Sequence, residues 1–102
     1  MKLSGRNVII TGANRGFGYE VARKFVEEGA SVAICGRDAD QLTHALEALQ
    51  KLASPGQTII GSPLDVSKEK SVKKFIDSAI MKFGRIDVVV NNAGVYGPKG
   101  LI

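Results

Sequence analysis

The sequence predicts an α/β fold in which a parallel sheet lies between two layers of helices. Segments of strand length alternate along the chain with segments whose apolar residues have helical spacing. The connections between them are short, about 2–6 residues, as in right-handed βαβ units. The strand segments are apolar throughout rather than alternating, which is typical of a sheet with helices on both faces.

The first half of the chain predicts two strands and two helices. An apolar run at residues 7–11 predicts the first strand, and helical spacing over residues 16–28, stopped by Gly29, predicts the first helix. Residues 31–35 predict the second strand. Asp38, with Gln41 three residues later, forms a capping box for the second helix. Its apolar face is predicted to comprise Leu42, Ala45, Leu46, Leu49 and Leu52.

The second half predicts two further strands and one helix. The third strand falls within residues 57–63, after the helix-breaking Ser-Pro-Gly at 54–56. Ser67 is a candidate N-cap for the third helix, which Gly84 ends, and residues 87–91 predict the fourth strand. The buried stripe of this helix is predicted to comprise Val72, Phe75, Ile76, Ala79, Ile80 and Phe83.

Composition excludes several classes of function. A chain of 102 residues is small for a domain, and none of its apolar runs is long enough to cross a bilayer. Its N-terminus lacks the apolar region of a signal peptide, and the single cysteine, Cys35, fits a reducing compartment, so we expect a cytoplasmic protein. Cys35 lies in an apolar run and is expected to be buried rather than nucleophilic.

The charged residues do not indicate nucleic-acid or metal binding. The net charge is +4, but the basic residues are scattered along the chain. His44 has no partner nearby in sequence, so we assign no metal site. Four lysines fall on the polar side of the third helix and are expected to be solvated: Lys68, Lys70, Lys73 and Lys74.

A glycine-rich turn directly follows the first predicted strand and opens the first helix. Its glycines are Gly12, Gly16 and Gly18. Such a turn needs backbone conformations that a Cβ resists, and it lets the chain approach a pyrophosphate closely. The helix that follows offers free N–H groups and the positive end of its dipole to an anion. The absence of Lys-Ser or Lys-Thr after the last glycine argues against a nucleoside-triphosphate loop.

Three motifs together closely resemble those of the short-chain dehydrogenase/reductase family. The turn at residues 11–18 matches the family's Thr-Gly-x-x-x-Gly-x-Gly, and residues 91–94 match its Asn-Asn-Ala-Gly. Residues 64–66, Leu-Asp-Val, resemble its adenine-side segment. This resemblance implies a Rossmann-type fold with strand order 3-2-1-4. In the family a fifth strand pairs with the fourth, so we expect that this chain is truncated after the fourth strand. Residues 1–102 are then expected to be the N-terminal part of a longer single-domain enzyme.

The resemblance also implies which residues contact a nicotinamide dinucleotide. Asp65 would accept a hydrogen bond from the adenine amino group, with Val66 beside it. Asn91, Ala93 and Gly94 would line the adenine-ribose and central part of the groove. The residues expected around the phosphates and the adenosine ribose are Gly12, Asn14, Arg15, Gly16, Phe17 and Gly18.

The end of the second strand favours NADP(H) over NAD(H). An acidic side chain there would accept the ribose hydroxyls of NAD(H) and repel a 2′-phosphate. In the family pattern the selecting position aligns with Gly36, which we place just past the strand, and Asp38 is better explained as a helix cap. Arg15 and Arg37 can flank the 2′-phosphate with charge-assisted hydrogen bonds. If Arg37 is instead a solvated surface residue, this preference disappears.

The family's catalytic Ser and Tyr-x-x-x-Lys have no counterpart in these residues. Tyr19 is followed four residues later by Arg23, and Tyr96 by Gly100. No residue is therefore assigned as catalytic, and the 102-residue chain alone is expected to be inactive. The resemblance implies an alcohol or carbonyl substrate and a homo-oligomer for the full-length enzyme. The alternative function is a non-catalytic nucleotide-binding or regulatory module.

Overall fold

The computed structural model describes residues 2–12 and 16–91. Within these residues, strands and helices alternate as the periodicity predicts, and the observed bounds differ from the predicted ones by at most two residues. The elements are β1 (Asn7–Thr11), α1 (Gly16–Glu27), β2 (Ser31–Gly36), α2 (Ala39–Leu52), β3 (Ile59–Pro63), α3 (Glu69–Phe83) and β4 (Val88–Asn91).

The four strands form one parallel sheet in the order β3-β2-β1-β4, which confirms the predicted topology. The central strand β1 pairs in register with both neighbours. Val8 lies beside Val32 of β2 and Val88 of β4, while Thr11 lies beside Cys35 and Asn91. All carboxyl ends of the strands therefore lie along one edge of the sheet, and all amino ends along the opposite edge.

The two faces of the sheet bury different sets of side chains, because successive residues of a strand point to opposite faces. On one face, α1 and α2 pack against branched residues of β1 and β2, including Val8, Ile10 and Ile34. On the other face, α3 places Phe75 and Ala79 against Ile9, Ala33 and Cys35. Helices thus cover both faces, as the apolar strands predict.

The helix ends are set by local hydrogen bonds. Asp38 caps α2 as predicted, since its carboxylate accepts a hydrogen bond from the backbone N–H of Gln41 at 3.0 Å. Gly84 ends α3 with a φ of 88°, and its N–H donates to Ile80. The prediction for Ser67 is wrong: Lys68 is the N-cap of α3, because the Ser67 hydroxyl donates to Asp65 instead.

Two residues assigned to apolar helix faces are substantially exposed. Leu52 is the last residue of α2, and 43% of its surface is accessible. Ile80 of α3 is 42% exposed, whereas Phe75 and Ala79 are buried. At 3.6 residues per turn, Ile80 lies about 140° around the helix from Phe75. The sheet therefore buries the Phe75 side of the predicted stripe and leaves Ile80 at its margin.

Leu46, Val72, Ile76 and Phe83, also assigned to the apolar helix faces, are only partly buried, and the other expectations about burial are confirmed. Cys35 is buried, and His44 and the lysines of α3 are exposed. Over the described ranges, no helix combines the length and apolarity that crossing a membrane requires.

Candidate cofactor-binding site

The candidate residues that the structure describes lie along the carboxyl edge of the sheet, the row of residues at and just beyond the C-terminal ends of the strands. Gly12 follows β1, Arg37 follows β2, Asp65 and Val66 follow β3, and Asn91 ends β4. Ligands of open α/β sheets bind in the crevice at this edge. Asn14, Arg15, Ala93 and Gly94 lie outside the described residues.

The glycine turn has the backbone geometry for which only glycine is suited. Gly12 and Gly16 have φ values of 70° and 63°, in the left-handed region. The N–H of Gly12 donates to the Cys35 carbonyl at 2.9 Å, which ties the start of the turn to β2. Apart from its chain neighbours and the backbone of α1, no heavy atom of the described residues lies within 4 Å of a Cβ built on Gly16. Gly16 is therefore required by its conformation, and the space beside it is open to a bound group.

The N-terminus of α1 lies at Gly16 and has no acidic side chain in its first turn to offset the positive end of the helix dipole. Its first N–H groups lack acceptors within the helix and suit an anion. Phe17 is 74% exposed on this turn, while Gly18 is buried within α1, as a glycine that allows close helix–strand packing would be. The open space and the helix terminus together fit a pyrophosphate.

A hydrogen bond joins the ends of β1 and β4. The hydroxyl of Thr11, which is 2% exposed, donates to Oδ1 of Asn91 at 3.0 Å. The Asn91 amide is thereby held at the edge of the sheet, next to the start of the glycine turn. The geometry makes Thr11 a positioning residue for Asn91.

The carboxylate of Asp65 is held in one orientation by its neighbours. Its Oδ1 accepts hydrogen bonds from the hydroxyl and the backbone N–H of Ser67 at 2.7 and 3.0 Å. Both bonds lower the pKa of Asp65, and the bond from the hydroxyl has the larger effect. The positive charges of Arg37 and Lys68 make smaller contributions in the same direction. The other oxygen, Oδ2, lies 3.6 Å from the Arg37 guanidinium. Asp65 is therefore an ionised acceptor at neutral pH, next to a cation.

The end of β2 carries a cation and no free carboxylate. Gly36 is the last residue of the strand rather than the first beyond it, because it pairs with Pro63 of β3. Arg37 follows directly, and 79% of its side chain is exposed. Asp38 is occupied as the cap of α2. An anionic group of a ligand at this position would meet the Arg37 guanidinium, with Asp65 as the acidic side chain beside it.

Other reactive groups of the described chain do not form a catalytic cluster. Burial raises the pKa of the Cys35 thiol, the largest influence on it, and this disfavours the thiolate that a nucleophile needs. Tyr19 packs partly buried against the α1–α2 side of the core. No group of three potential ligands that could hold a metal ion occurs among residues 2–12 and 16–91.

Two residues that shape the site were not assigned to it from the sequence, Thr11 and Ser67. Thr11 belongs to the glycine motif, and a polar residue that ends an apolar strand is a usable signal for a site residue. Ser67 has the position of a helix cap. The Asp-x-Ser spacing at 65–67 is the signal for the turn that forms instead, in which a carboxylate accepts from the backbone two residues later.

Comparison with known proteins gives one family. The family described as short chain dehydrogenase matches residues 6–101. The 7alpha-hydroxysteroid dehydrogenase of Escherichia coli is 38% identical over 99 residues, which is 97% of this chain and 38% of the relative. The chain thus spans well under half the length of the curated relatives that it matches.

Solved structures of the same kind superpose on the fold. A short-chain type dehydrogenase/reductase from Mycobacterium ulcerans is similar with a TM-score of 0.86 and 33% identity, over 95% of this chain and 35% of the other. L-Sorbose reductase from Gluconobacter frateurii, solved with NADPH and L-sorbose, has a TM-score of 0.82 and 29% identity, over 100% and 40%. NAD+-bound xylitol dehydrogenase has a TM-score of 0.84 and 30% identity, over 95% and 36%.

Proposed function

Because the chain belongs to the short-chain dehydrogenase family, we propose that it is the cofactor-binding, N-terminal part of a longer single-domain NADP(H)-dependent oxidoreductase. The coverage of its relatives supports this division, since the chain corresponds to 38% of the E. coli relative. The full-length enzyme interconverts alcohol and carbonyl groups of a small molecule. A cytoplasmic location, a homo-oligomeric full-length form and the absence of a nucleic-acid partner stay predictions.

The observation that carries the cofactor proposal is the glycine turn at the carboxyl edge. Gly12 and Gly16 adopt positive φ directly after β1, and the turn leads into the N-terminus of α1 beside open space. A dinucleotide pyrophosphate fits this arrangement, since it can accept hydrogen bonds from the free N–H groups and is attracted by the helix dipole. The similar structures solved with NADPH and with NAD+ support a nicotinamide dinucleotide as the ligand.

The preference for NADP(H) rests on the end of β2. Gly36 offers no carboxylate to repel a 2′-phosphate, and Asp38 is engaged with the N–H of Gln41. Arg37 is exposed and has only a loose ion pair, at 3.6 Å, with Asp65. Its guanidinium can therefore bind a phosphate with charge-assisted hydrogen bonds, together with Arg15 of the turn.

The remaining candidate residues have proposed roles that follow from their positions. Asp65, ionised and fixed by Ser67, accepts a hydrogen bond from the adenine amino group, and Val66 contacts the ring. Asn91, held by Thr11, lines the central part of the groove. Ala93 and Gly94 are proposed to line the adenine-ribose and central part of the groove with Asn91. The turn and helix residues that surround the phosphates and the adenosine ribose are proposed to be Gly12, Asn14, Arg15, Gly16, Phe17 and Gly18.

Catalysis is proposed to require residues outside residues 1–102. The bound cofactor supplies the hydride, and the residues of this chain bind and orient it. A proton donor matching the family's Tyr-x-x-x-Lys is absent from this sequence. We therefore expect the 102-residue chain to bind cofactor without oxidising NADPH in the presence of carbonyl compounds.

The experiment that tests the proposal compares NADPH and NADH binding by calorimetry. We expect NADPH to bind more tightly, and Arg37→Ala to weaken NADPH binding about tenfold, which corresponds to the loss of a charge-assisted hydrogen bond. NADH binding should change little, because NADH has no 2′-phosphate. Arg85→Ala is the matched control, since Arg85 lies at the opposite edge of the sheet, before β4. Equal affinities for both cofactors, unchanged in Arg37→Ala, would contradict the NADP(H) assignment.

A further inference from the structure

A groove lies on the α3 face of the sheet, beside the edge strand β3. Its cavity volume is about 260 Å³. β3 and the residue after it contribute one side, and a stripe of α3 contributes the other. The described lining residues are Ser62, Leu64, Ser71, Lys74, Phe75 and Ser78. None of the residues proposed to bind the dinucleotide is among them.

The groove forms because short side chains face each other across the gap between helix and strand. Ser71, Lys74, Phe75 and Ser78 follow the i, i+3, i+4, i+7 spacing of one helix face. Phe75 is 7% exposed and packs into the core, so it forms an apolar floor. The serines one turn before and one turn after it are too short to fill the space above.

Ser62 lies on the α3 face of β3, two residues after Ile60, which packs in the same cluster as Phe75. A larger apolar residue at this position would extend that cluster over the groove. On the strand side, the Ser62 hydroxyl therefore lies next to the apolar Ile60, just as the serines of α3 lie next to Phe75 on the helix side.

The lining has one charge, and it is positive. Lys74 makes no ion pair within the described part of the chain, whereas the adjacent Lys73 pairs with Asp77 at 3.3 Å. No carboxylate lines the groove. Three hydroxyl groups and one ammonium group, all able to donate hydrogen bonds, therefore surround an apolar floor.

We propose that this groove binds a small phosphate monoester that carries an apolar group. The phosphate lies against Lys74 and the serine hydroxyls, and the apolar group covers Phe75 and Leu64. Hydrogen bonds in which both partners are charged favour phosphate at an otherwise unpaired ammonium group. The volume lies just below the range of about 300–1,000 Å³ typical of drug-sized ligand pockets, so the ligand is much smaller than a dinucleotide.

The test is a titration of the protein with phenyl phosphate, followed by NMR of the backbone amides, with and without NADPH. We expect saturable chemical-shift changes at the lining residues. Inorganic phosphate, which lacks the apolar ring, and phenol, which lacks the phosphate, are expected to bind more weakly than phenyl phosphate. Lys74→Gln should weaken phenyl phosphate binding about fivefold, as expected for one partly exposed charge pair. Lys73→Gln is the matched control and should leave the affinity within about twofold of the wild type.

Three results would contradict the proposal that the groove binds a phosphate monoester. Equal weakening by Lys73→Gln and Lys74→Gln would indicate diffuse attraction to the basic helix. Displacement of phenyl phosphate by NADPH would place it in the dinucleotide site, and shifts that stay linear in concentration would show that no site exists. A protein that fails to bind NADPH but retains the saturable shifts at the groove would refute the proposed function and support the groove.

Discussion

The two edges of the sheet use similar polar residues in different ways. The amino edge, where the strands begin, contains a closed network around Asp87. Its carboxylate accepts from the backbone N–H of Asn7 at 2.8 Å and contacts the guanidinium groups of Arg85 and Arg6 at 2.7 and 3.5 Å. At the carboxyl edge, the Arg37 side chain is 79% exposed, and its ion pair with Asp65 is longer, at 3.6 Å. At the amino edge a nearly buried carboxylate is tied to the backbone and to two cations, whereas at the carboxyl edge a more exposed cation makes one looser ion pair.

The glycines with positive φ also occupy different positions at the two edges. At the amino edge, Gly29 and Gly84 have positive φ where α1 and α3 end, and Gly56 where the chain turns toward β3. At the carboxyl edge, Gly12 and Gly16 have positive φ where a helix begins. Glycine at a helix end is a common way to stop the helix. Glycine at a helix N-terminus exposes N–H groups to a ligand, which is the use that we propose for the glycines of the carboxyl edge.

The largest effect that separates the two edges is expected for Gly16→Ala. Alanine in the left-handed region costs about 1–2 kcal/mol, and the turn is expected to relieve this strain by rearranging away from its phosphate-binding form. We expect NADPH affinity to fall at least about tenfold, measured by calorimetry.

Gly56→Ala is the matched control for this prediction. Gly56 also has positive φ, and a Cβ there would likewise meet nothing within 4 Å. We expect a comparable loss of stability in chemical denaturation and an unchanged NADPH affinity. If both variants lose affinity equally, the turn at Gly16 has no special part in binding.

A smaller effect, on stability alone, is expected for Asp87→Asn. The hydrogen bond from the Asn7 N–H is the largest cause that lowers the pKa of Asp87, with Arg85 and Arg6 adding to it. A lowered pKa stabilises the fold above the ordinary carboxyl value of about 3.9, and this stabilisation is lost as the pH falls through the lower folded value. We therefore expect the variant to be less stable than the wild type at pH 7 and the difference to shrink in acid.

Urea denaturation over a range of pH measures this difference. Asp77→Asn, which removes only an exposed pair with Lys73, is the control and should show little change. NADPH affinity should be the same in Asp87→Asn as in the wild type. A stability difference independent of pH would contradict the role given to the ionised carboxylate.

The smallest effect is expected for Ser67→Ala at the carboxyl edge. Removing the hydroxyl takes away the largest cause of the lowered pKa of Asp65 and loosens the carboxylate, which keeps the hydrogen bond from the backbone N–H of residue 67. We expect NADPH affinity to fall about threefold, because the carboxylate keeps one of its two hydrogen bonds from residue 67, and Ser67→Thr to retain most of it. Equal affinities for wild type and Ser67→Ala would show that Asp65 does not depend on this contact.

The sequence predicted the layers of the fold, because the apolar residues of each element have helical or strand spacing and because glycine, proline or capping residues mark the ends of the elements. The apolar runs of β1 and β2 and the Asp38–Gln41 spacing are local signals, and both are confirmed. The order of the strands came from the family resemblance, since no local signal states that β4 lies beside β1. Likewise, the contact between Thr11 and Asn91 joins residues 80 positions apart and requires that order.

The errors occur where local chemistry offers two solutions or where tertiary packing decides. Ser67 can cap a helix or donate to Asp65, and both uses satisfy a hydroxyl, so sequence alone does not choose between them. The exposure of Ile80 follows from the rotation of α3 against the sheet. Periodicity identifies an apolar stripe, but it does not fix which margin of that stripe is buried.

The central claim is that the carboxyl edge binds the dinucleotide and the amino edge does not. Backbone amide NMR of the protein titrated with NADPH tests it most directly. The account predicts shifts at residues 12, 16–18, 37, 65–66 and 91, with the amides of Asn7, Arg85 and Asp87 unchanged. Shifts centred on the amino edge, or no saturable shifts at the carboxyl edge, would contradict it.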